Sequence, residues 1–235
     1  MLLGILLTLA LAPVLALAQS TPPSEPAPAP DQDAVPDYKP PLRGAPGGRV
    51  GGASRGAVRL ATPLPTIELL APNDEAGQTT SATPTLYFFV SQAVAWPTQF
   101  TISAPLQPAP VLEVTIPSPR AAGIYALRLA DYRARLEPGI VYTWSVSIIV
   151  DPKSWARNVV ASAALLRVPE DAATASATRD RTPPRRAAAY AAAGLWYDAV
   201  AAAAEARNLD RHAALDALMQ QVGLTKAADY DRDHQ

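Results

Sequence analysis

The sequence predicts an α+β protein, an antiparallel β-sandwich over residues 60–170 followed by a short helical hairpin with a third helix over residues 171–224. Three observations carry this. Between Leu64 and Val168 short apolar or alternating runs recur, separated by Pro, Gly, Asn and Asp, as expected of short strands joined by turns. Inside that stretch lies Leu136-Glu-Pro138-Gly139-Ile-Val-Tyr142-Thr-Trp144-Ser-Val146, a turn followed by strict alternation. Beyond Val168 the alternation stops, and Ala-rich segments interrupted at Gly194 take over, which reads as helix, break and helix.

Taken in order, residues 1–18 are expected to be a removable export signal. The apolar run Leu2 to Leu17 ends in Ala16-Leu17-Ala18, a small-x-small pattern suited to cleavage before Gln19. A membrane anchor is the alternative. The run gives only roughly 25 Å of helix against a bilayer core of about 30 Å, and Pro13 would kink it. No Lys or Arg precedes the run, so the α-amino group alone supplies positive charge there. The chain has no cysteine, which excludes lipid attachment at a signal-peptide cysteine, structural disulfides and thiolate metal sites. After signal removal no integral span is expected, and the destination is the periplasm or the cell surface and beyond.

Residues 19–59 are expected to be a disordered linker. From Ser20 to Pro41 Pro, Ala and acids dominate with almost no large apolar group, too little to offset ordering entropy. Arg43, Arg49 and Arg55 then stand six residues apart among glycines. The Gly-Lys-Ser/Thr ending of a phosphate loop is absent, and no strand precedes it. The segment is either a flexible cationic arm or an ordered contact to an anion or carboxylate.

Seven strands are expected: Thr66–Leu70, Thr85–Val90, Gln99–Ala104, Val111–Ile116, Ile124–Leu129, Val141–Val150 and Val159–Val168. The turn before the sixth is similar to the corner of immunoglobulin-like and fibronectin-type sandwiches, in which a tyrosine hydroxyl bonds to the backbone upstream. Tyr142 takes that role, and Trp144 and Val146 share its face and fill the core.

In the helical unit, Pro183 and Pro184 suit the first turn of a helix running to about Ala193. A second helix is expected from Leu195 or Trp196 to about Arg207. Asp210 is the expected N-cap of a third, ended by Gly223. Tyr190, Gly194, Trp196, Ala199, Ala206 and Leu209-Asp210 have the spacing of a single tetratricopeptide repeat. One such hairpin cannot bury its own apolar face, so it must pack on the third helix, on the sandwich or on another protein. Trp196 and Tyr197 are therefore packing residues or an aromatic patch for a partner. The charged tail, residues 225–235, is expected to be frayed.

Little points to chemistry. With 20 Lys and Arg against 21 Asp and Glu, and no long basic stripe, nucleic acid is not the expected partner. His212 and His234 are the only histidines, and neither has a second ligand at metal spacing. His212 also lacks a Gly-x-Ser-x-Gly elbow, while Ser145 and Ser147 alternate as ordinary sheet residues. Asp131, Glu137 and Asp151 lie in turns that favour acids anyway. No catalytic, metal or cofactor site is expected. Trp96 and Trp155 fall between strands, and Trp155 with Arg157 forms the kind of loop that makes contacts; a loop Trp that closes the end of a sandwich is the alternative.

Four blocks extend the argument: Arg43 to Gly56; Ile67-Glu-Leu-Leu-Ala-Pro72 with Pro84-Thr-Leu-Tyr-Phe-Phe-Val90; Tyr142-Thr-Trp-Ser-Val-Ser-Ile-Ile-Val-Asp-Pro152; and Ala189-Tyr-Ala-Ala-Ala-Gly-Leu-Trp-Tyr-Asp-Ala199. From Arg43 to Leu224 the chain resembles the bacterial domain of unknown function 928 family. Where a Cys commonly stands before Asp-Pro in that family, this chain has Val150. The resemblance implies an exported protein and brings no catalytic residues. The expected function is an exported, non-catalytic interaction module that docks on an envelope or cell-surface protein. A glycan-binding module is the alternative, which requires Trp96 and Trp155 on one exposed face. An unfamiliar hydrolase, the third reading, requires a cleft lined by acids.

Overall fold

The computed structural model describes residues 35–41, 50–51, 63–179, 181–206 and 208–234, the side chains of residues 50–51 and 208–211 excepted. The expected signal, most of the expected linker, and Arg43, Arg49 and Arg55 lie outside the described residues.

The described residues form a mixed α+β structure with two sheets. One sheet is antiparallel, in the order β1 (Val50–Gly51), β2 (Ile67–Leu69), β4 (Thr85–Val90) and β7 (Gly123–Arg128). The other runs β3 (Gly77–Thr79), β9 (Val159–Arg167), β8 (Val141–Ile148), β5 (Thr98–Ser103) and β6 (Leu112–Ile116). Its pairs are antiparallel except for β3 and β9, which are parallel. β1 and β3 were not among the expected strands.

Alternation sets what each strand buries. Phe100 and Ile102 of β5, Tyr142, Trp144 and Val146 of β8, and Ala161, Ala163 and Leu165 of β9 share one hydrophobic core with Ile67, Leu69, Leu86, Phe88 and Leu127 of the other sheet. Trp144 meets Phe100 edge to face, with centroids 6.4 Å apart. At the corner before β8, Tyr142 Oη accepts a hydrogen bond from the Glu137 backbone N–H at 3.0 Å.

Five helices follow: α1 (Ala172–Thr178), α2 (Pro183–Ala192), α3 (Trp196–Glu205), α4 (Asn208–Gln221) and α5 (Thr225–Asp233). Asp171 caps α1, its carboxylate accepting from Thr174 N at 2.7 Å, and α2 opens on two prolines. Gly194 separates α2 from α3 with φ +75°, and a Cβ there would lie 2.9 Å from the Lys39 carbonyl oxygen. The position therefore needs glycine both for its left-handed backbone and for the close approach of residue 39.

The α2–α3 hairpin spends Trp196 and Tyr197 on the sheets. Trp196 Nε1 donates to the Leu70 carbonyl at 2.9 Å. Trp144 Nε1 donates to Tyr197 Oη at 2.8 Å, and that hydroxyl donates to the Ala164 carbonyl at 2.9 Å. Asp198 accepts from Thr79 Oγ1 and Thr80 N, each at 2.7 Å, and from Thr80 Oγ1 at 3.1 Å. Burial raises the Asp198 carboxyl above its ordinary value, against the lowering effect of these hydrogen bonds, and Glu170 raises it further. Of the three surfaces open to the hairpin, it takes the sheets and α4, and Trp196, Tyr197, Ala199 and Val200 join the common core.

Three expectations are corrected. The tail expected to fray is α5, which buries Ala227, Ala228 and Asp231. The buried Glu68 carboxylate accepts from Ala227 N at 3.1 Å, Tyr230 Oη donates to the Ala122 carbonyl at 2.8 Å, and buried His212 and Asp231 meet at 2.7 Å. Within the expected linker, residues 35–41 are held on the helices: Tyr38 is buried, its N–H donates to Gln221 Oε1 at 2.7 Å, and Lys39 N donates to the Ala191 carbonyl at 3.1 Å. Asp210 lies inside α4, which starts at Asn208, and is not its N-cap.

Candidate functional site

Because β5, β8 and β9 turn their apolar residues inward, their alternate positions line the outer face of the five-stranded sheet. The register aligns Thr115, Gln99, Ser147 and Val160 in one row across β6, β5, β8 and β9. The next row is Glu113, Thr101, Ser145 and Ser162. Hydroxyls, an amide and a carboxylate thus share one surface.

Trp155 stands over this surface. Asp151-Pro152 opens the turn after β8, and the Asp151 carboxylate accepts from Lys153 N at 2.9 Å. The same carboxylate pairs with Arg157 Nη1 at 2.9 Å, while Asn158 Oδ1 accepts from Asp151 N at 3.1 Å. These bonds fix a short 3₁₀ turn, Trp155–Arg157, and hold the indole 66% exposed beside β8 and β9. A groove of about 480 Å³ runs beneath it, lined by Gln99, Thr101, Glu113, Ser145, Ser147 and Val160. An exposed indole beside convergent polar groups departs from the usual inward packing of large aromatics.

The sequence candidates separate here. Trp155 is on the groove with Arg157 beside it, its charge taken by Asp151. Trp96 is half-buried against the core, and its carbonyl accepts from Ser118 Oγ at 2.7 Å; it does not line the groove. Tyr142, Trp144, Gly194 and Trp196 all hold the fold, as described above. His212 is buried against Asp231 in α5, and His234 stacks on Tyr230 with centroids 3.9 Å apart. No group of three or more His, Cys, Asp or Glu able to hold a metal occurs among the described residues. Glu113 is the one carboxylate among the described residues that line the groove.

Sequence reasoning missed Gln99, Thr101, Glu113 and Ser145. Each is an ordinary outward residue of its strand, and only the strand order brings them together beneath Trp155. Their signal was polarity at every second position opposite a bulky apolar set.

No helix among the described residues is long and apolar enough to cross a membrane. No curated protein and no solved structure matches the chain. A family model described as Domain of Unknown Function (DUF928) matches residues 50–231, from β1 into α5 and well over half of the sequence, so the chain belongs to the domain of unknown function 928 family.

Proposed function

We propose that this protein is an exported, non-catalytic binding module whose contact surface is the outer face of the five-stranded sheet at Trp155, and that its ligand is a glycan of the cell wall or extracellular matrix. The observation that carries the reading is the exposed indole over a groove lined by Gln99, Thr101, Glu113 and Ser145. A sugar ring presents C–H groups on one face and hydroxyls at its rim. An indole stacks on the first, while amide, hydroxyl and carboxylate side chains donate to or accept from the second. The expected pair of exposed tryptophans on one face is not met, because Trp96 is half-buried against the core and does not line the groove; Trp155 alone serves as the platform. The helical hairpin is a poor docking surface, because Trp196 and Tyr197 are buried within the protein and Tyr190 is half-buried.

Export is supported by the Leu2 to Leu17 run and its Ala16-Leu17-Ala18 end. The finer fold reading, an immunoglobulin- or fibronectin-type sandwich carrying a tetratricopeptide-like hairpin, is supported by the Glu137–Tyr142 bond and the Gly194 break. A protein partner on the same face is the second reading, favoured by Trp155, Arg157 and the exposed Val160 side by side.

Native electrophoresis in gels carrying envelope polysaccharides tests the proposal. The mature protein is expected to be retarded, and a Trp155→Ala variant to run as in plain gel. No retardation in any polysaccharide, with a protein captured from envelope extract through Trp155, would move the second reading to first place. Recovery of a protein beginning at Gln19 from outside the cytoplasm is the expected result for export; an intact Met1 in the cytoplasm would contradict it.

A further inference from the structure

A second cleft shares no lining residue with the Trp155 groove. Three segments distant in sequence build it: Tyr38 and Pro40, Pro72 to Glu75 between β2 and β3, and Gln221 with Val222 at the end of α4. Its volume is about 230 Å³, room for several waters at about 30 Å³ each.

The fold fixes its back wall. Tyr38 N donates to Gln221 Oε1 at 2.7 Å, Gln221 Nε2 donates to the Pro36 carbonyl at 2.8 Å, and Lys39 N donates to the Ala191 carbonyl. The Tyr38 ring meets Trp196 edge to face at 4.9 Å. These contacts leave Tyr38 only 7% exposed, yet its hydroxyl makes no hydrogen bond of ordinary length among the described residues. Buried hydroxyls ordinarily have one. Burial, then the negative charge of Glu75 and the pull of its carboxylate on the phenol proton, push this phenol above its usual range, so the proton stays on the oxygen and the lone pairs remain to accept.

The side walls divide by chemistry. Asp74 and Glu75 supply carboxylates, Asp74 already accepting from Asn73 Nδ2 at 3.0 Å. Neither acid is in an ion pair among the described residues. Among the described residues Lys39 is the cation nearest in sequence to Tyr38 and Pro40; it is exposed, outside the lining. Pro40, Pro72 and Val222 supply apolar surface.

We propose that this cleft binds a cationic group on an aliphatic arm, an ammonium or guanidinium. Its N–H groups donate to the Tyr38 hydroxyl and to the carboxylates of Glu75 and Asp74, and its methylenes lie along Pro40, Pro72 and Val222. A buried hydroxyl with no donor to its lone pairs, beside two carboxylates that form no ion pair among the described residues, is the arrangement that a multi-donor cation completes. A lysine or arginine side chain of another polypeptide and a free diamine share this chemistry.

The test is an NMR titration of the mature full chain with N-acetyl-lysine methylamide, N-acetyl-arginine methylamide and putrescine. N-acetyl-norleucine methylamide is the uncharged control. Saturable amide shifts confined to residues 72–75, 221–222 and 38–40 are expected with at least one cation and not with norleucine. Glu75→Gln is expected to weaken that binding at least fivefold. Tyr38→Phe, which keeps the ring on Trp196, is expected to weaken it at least threefold while leaving the thermal midpoint unchanged or higher. Stronger binding of the amino-acid amides would assign the site to a protein-borne side chain, and stronger binding of putrescine to a free amine. The proposal is overturned if no cation shifts these amides, if norleucine does so equally, or if Tyr38→Phe binds like wild type. A lowered midpoint in Tyr38→Phe would also overturn it, by assigning the hydroxyl to an internal bond.

Discussion

Trp144 and Trp196 differ from Trp155 in every respect that physical chemistry weighs. The first two are fully buried, and each indole N–H has an acceptor within 3 Å, in Tyr197 Oη and the Leu70 carbonyl. Trp155 keeps two thirds of its surface in water, over a face of hydroxyls, an amide and a carboxylate. Burying a large aromatic with its polar atom satisfied stabilises a fold. Leaving one exposed forgoes that gain, and tryptophan is among the residues that most often carry binding energy at interfaces. Trp144 and Trp196 hold the molecule together; Trp155 marks the face proposed to bind.

The largest expected effect is at the helix–sheet junction. Trp196→Ala opens a cavity and leaves the Leu70 carbonyl without its donor, and is expected to cost about 3–5 kcal/mol, measured by equilibrium urea unfolding. A loss below about 1 kcal/mol would mean that the hairpin contributes little to the common core.

Next comes the Asp198 clamp, where the effect depends on pH. Its folded-state pKa is raised above the unfolded value, so the folded chain binds that proton more tightly. The associated stability is fully present below the unfolded pKa of about 3.8 and is lost as pH rises through the folded pKa. Asp198→Asn does not titrate, so the stability of wild type minus that of the variant is expected to fall as pH rises from about 3.8. Parallel profiles from pH 3.5 to 7 would show that Asp198 is not perturbed.

Tyr142→Phe removes the acceptor of Glu137 N at a partly buried corner and is expected to cost about 1 kcal/mol. No change in the unfolding midpoint would reduce that hydrogen bond to a bystander.

The parts of this architecture that were legible in the sequence are those written in local pattern. The alternation of Val141 to Ile148, the prolines opening α2 and the glycine at 194 each act over a few residues, and strands and helices fall close to the expected bounds. What was hidden depends on partners far away in the chain. β3 is Gly77-Gln78-Thr79, without a strand pattern of its own, and exists because it pairs in parallel with β9. A Cβ at Gly77 would lie 2.6 Å from the Tyr197 ring, a constraint no neighbouring residue announces. α5 reads as a charged tail because its anchors are Glu68, His212 and Ala122, from three other parts of the chain. Tyr38 is a lone aromatic among prolines and acids, and its burial depends on Trp196. Trp155 was legible as a loop aromatic; its polar floor was not, because the register of four strands assembles it.

The most direct test of the division between holding and binding is Trp155→Ala, with unfolding free energy and retardation by envelope polysaccharide measured on the same protein. Stability within about 0.5 kcal/mol of wild type, together with loss of retardation, is the predicted result. A destabilisation above about 2 kcal/mol, or retardation equal to that of wild type, would contradict the assignment of this face as the binding surface.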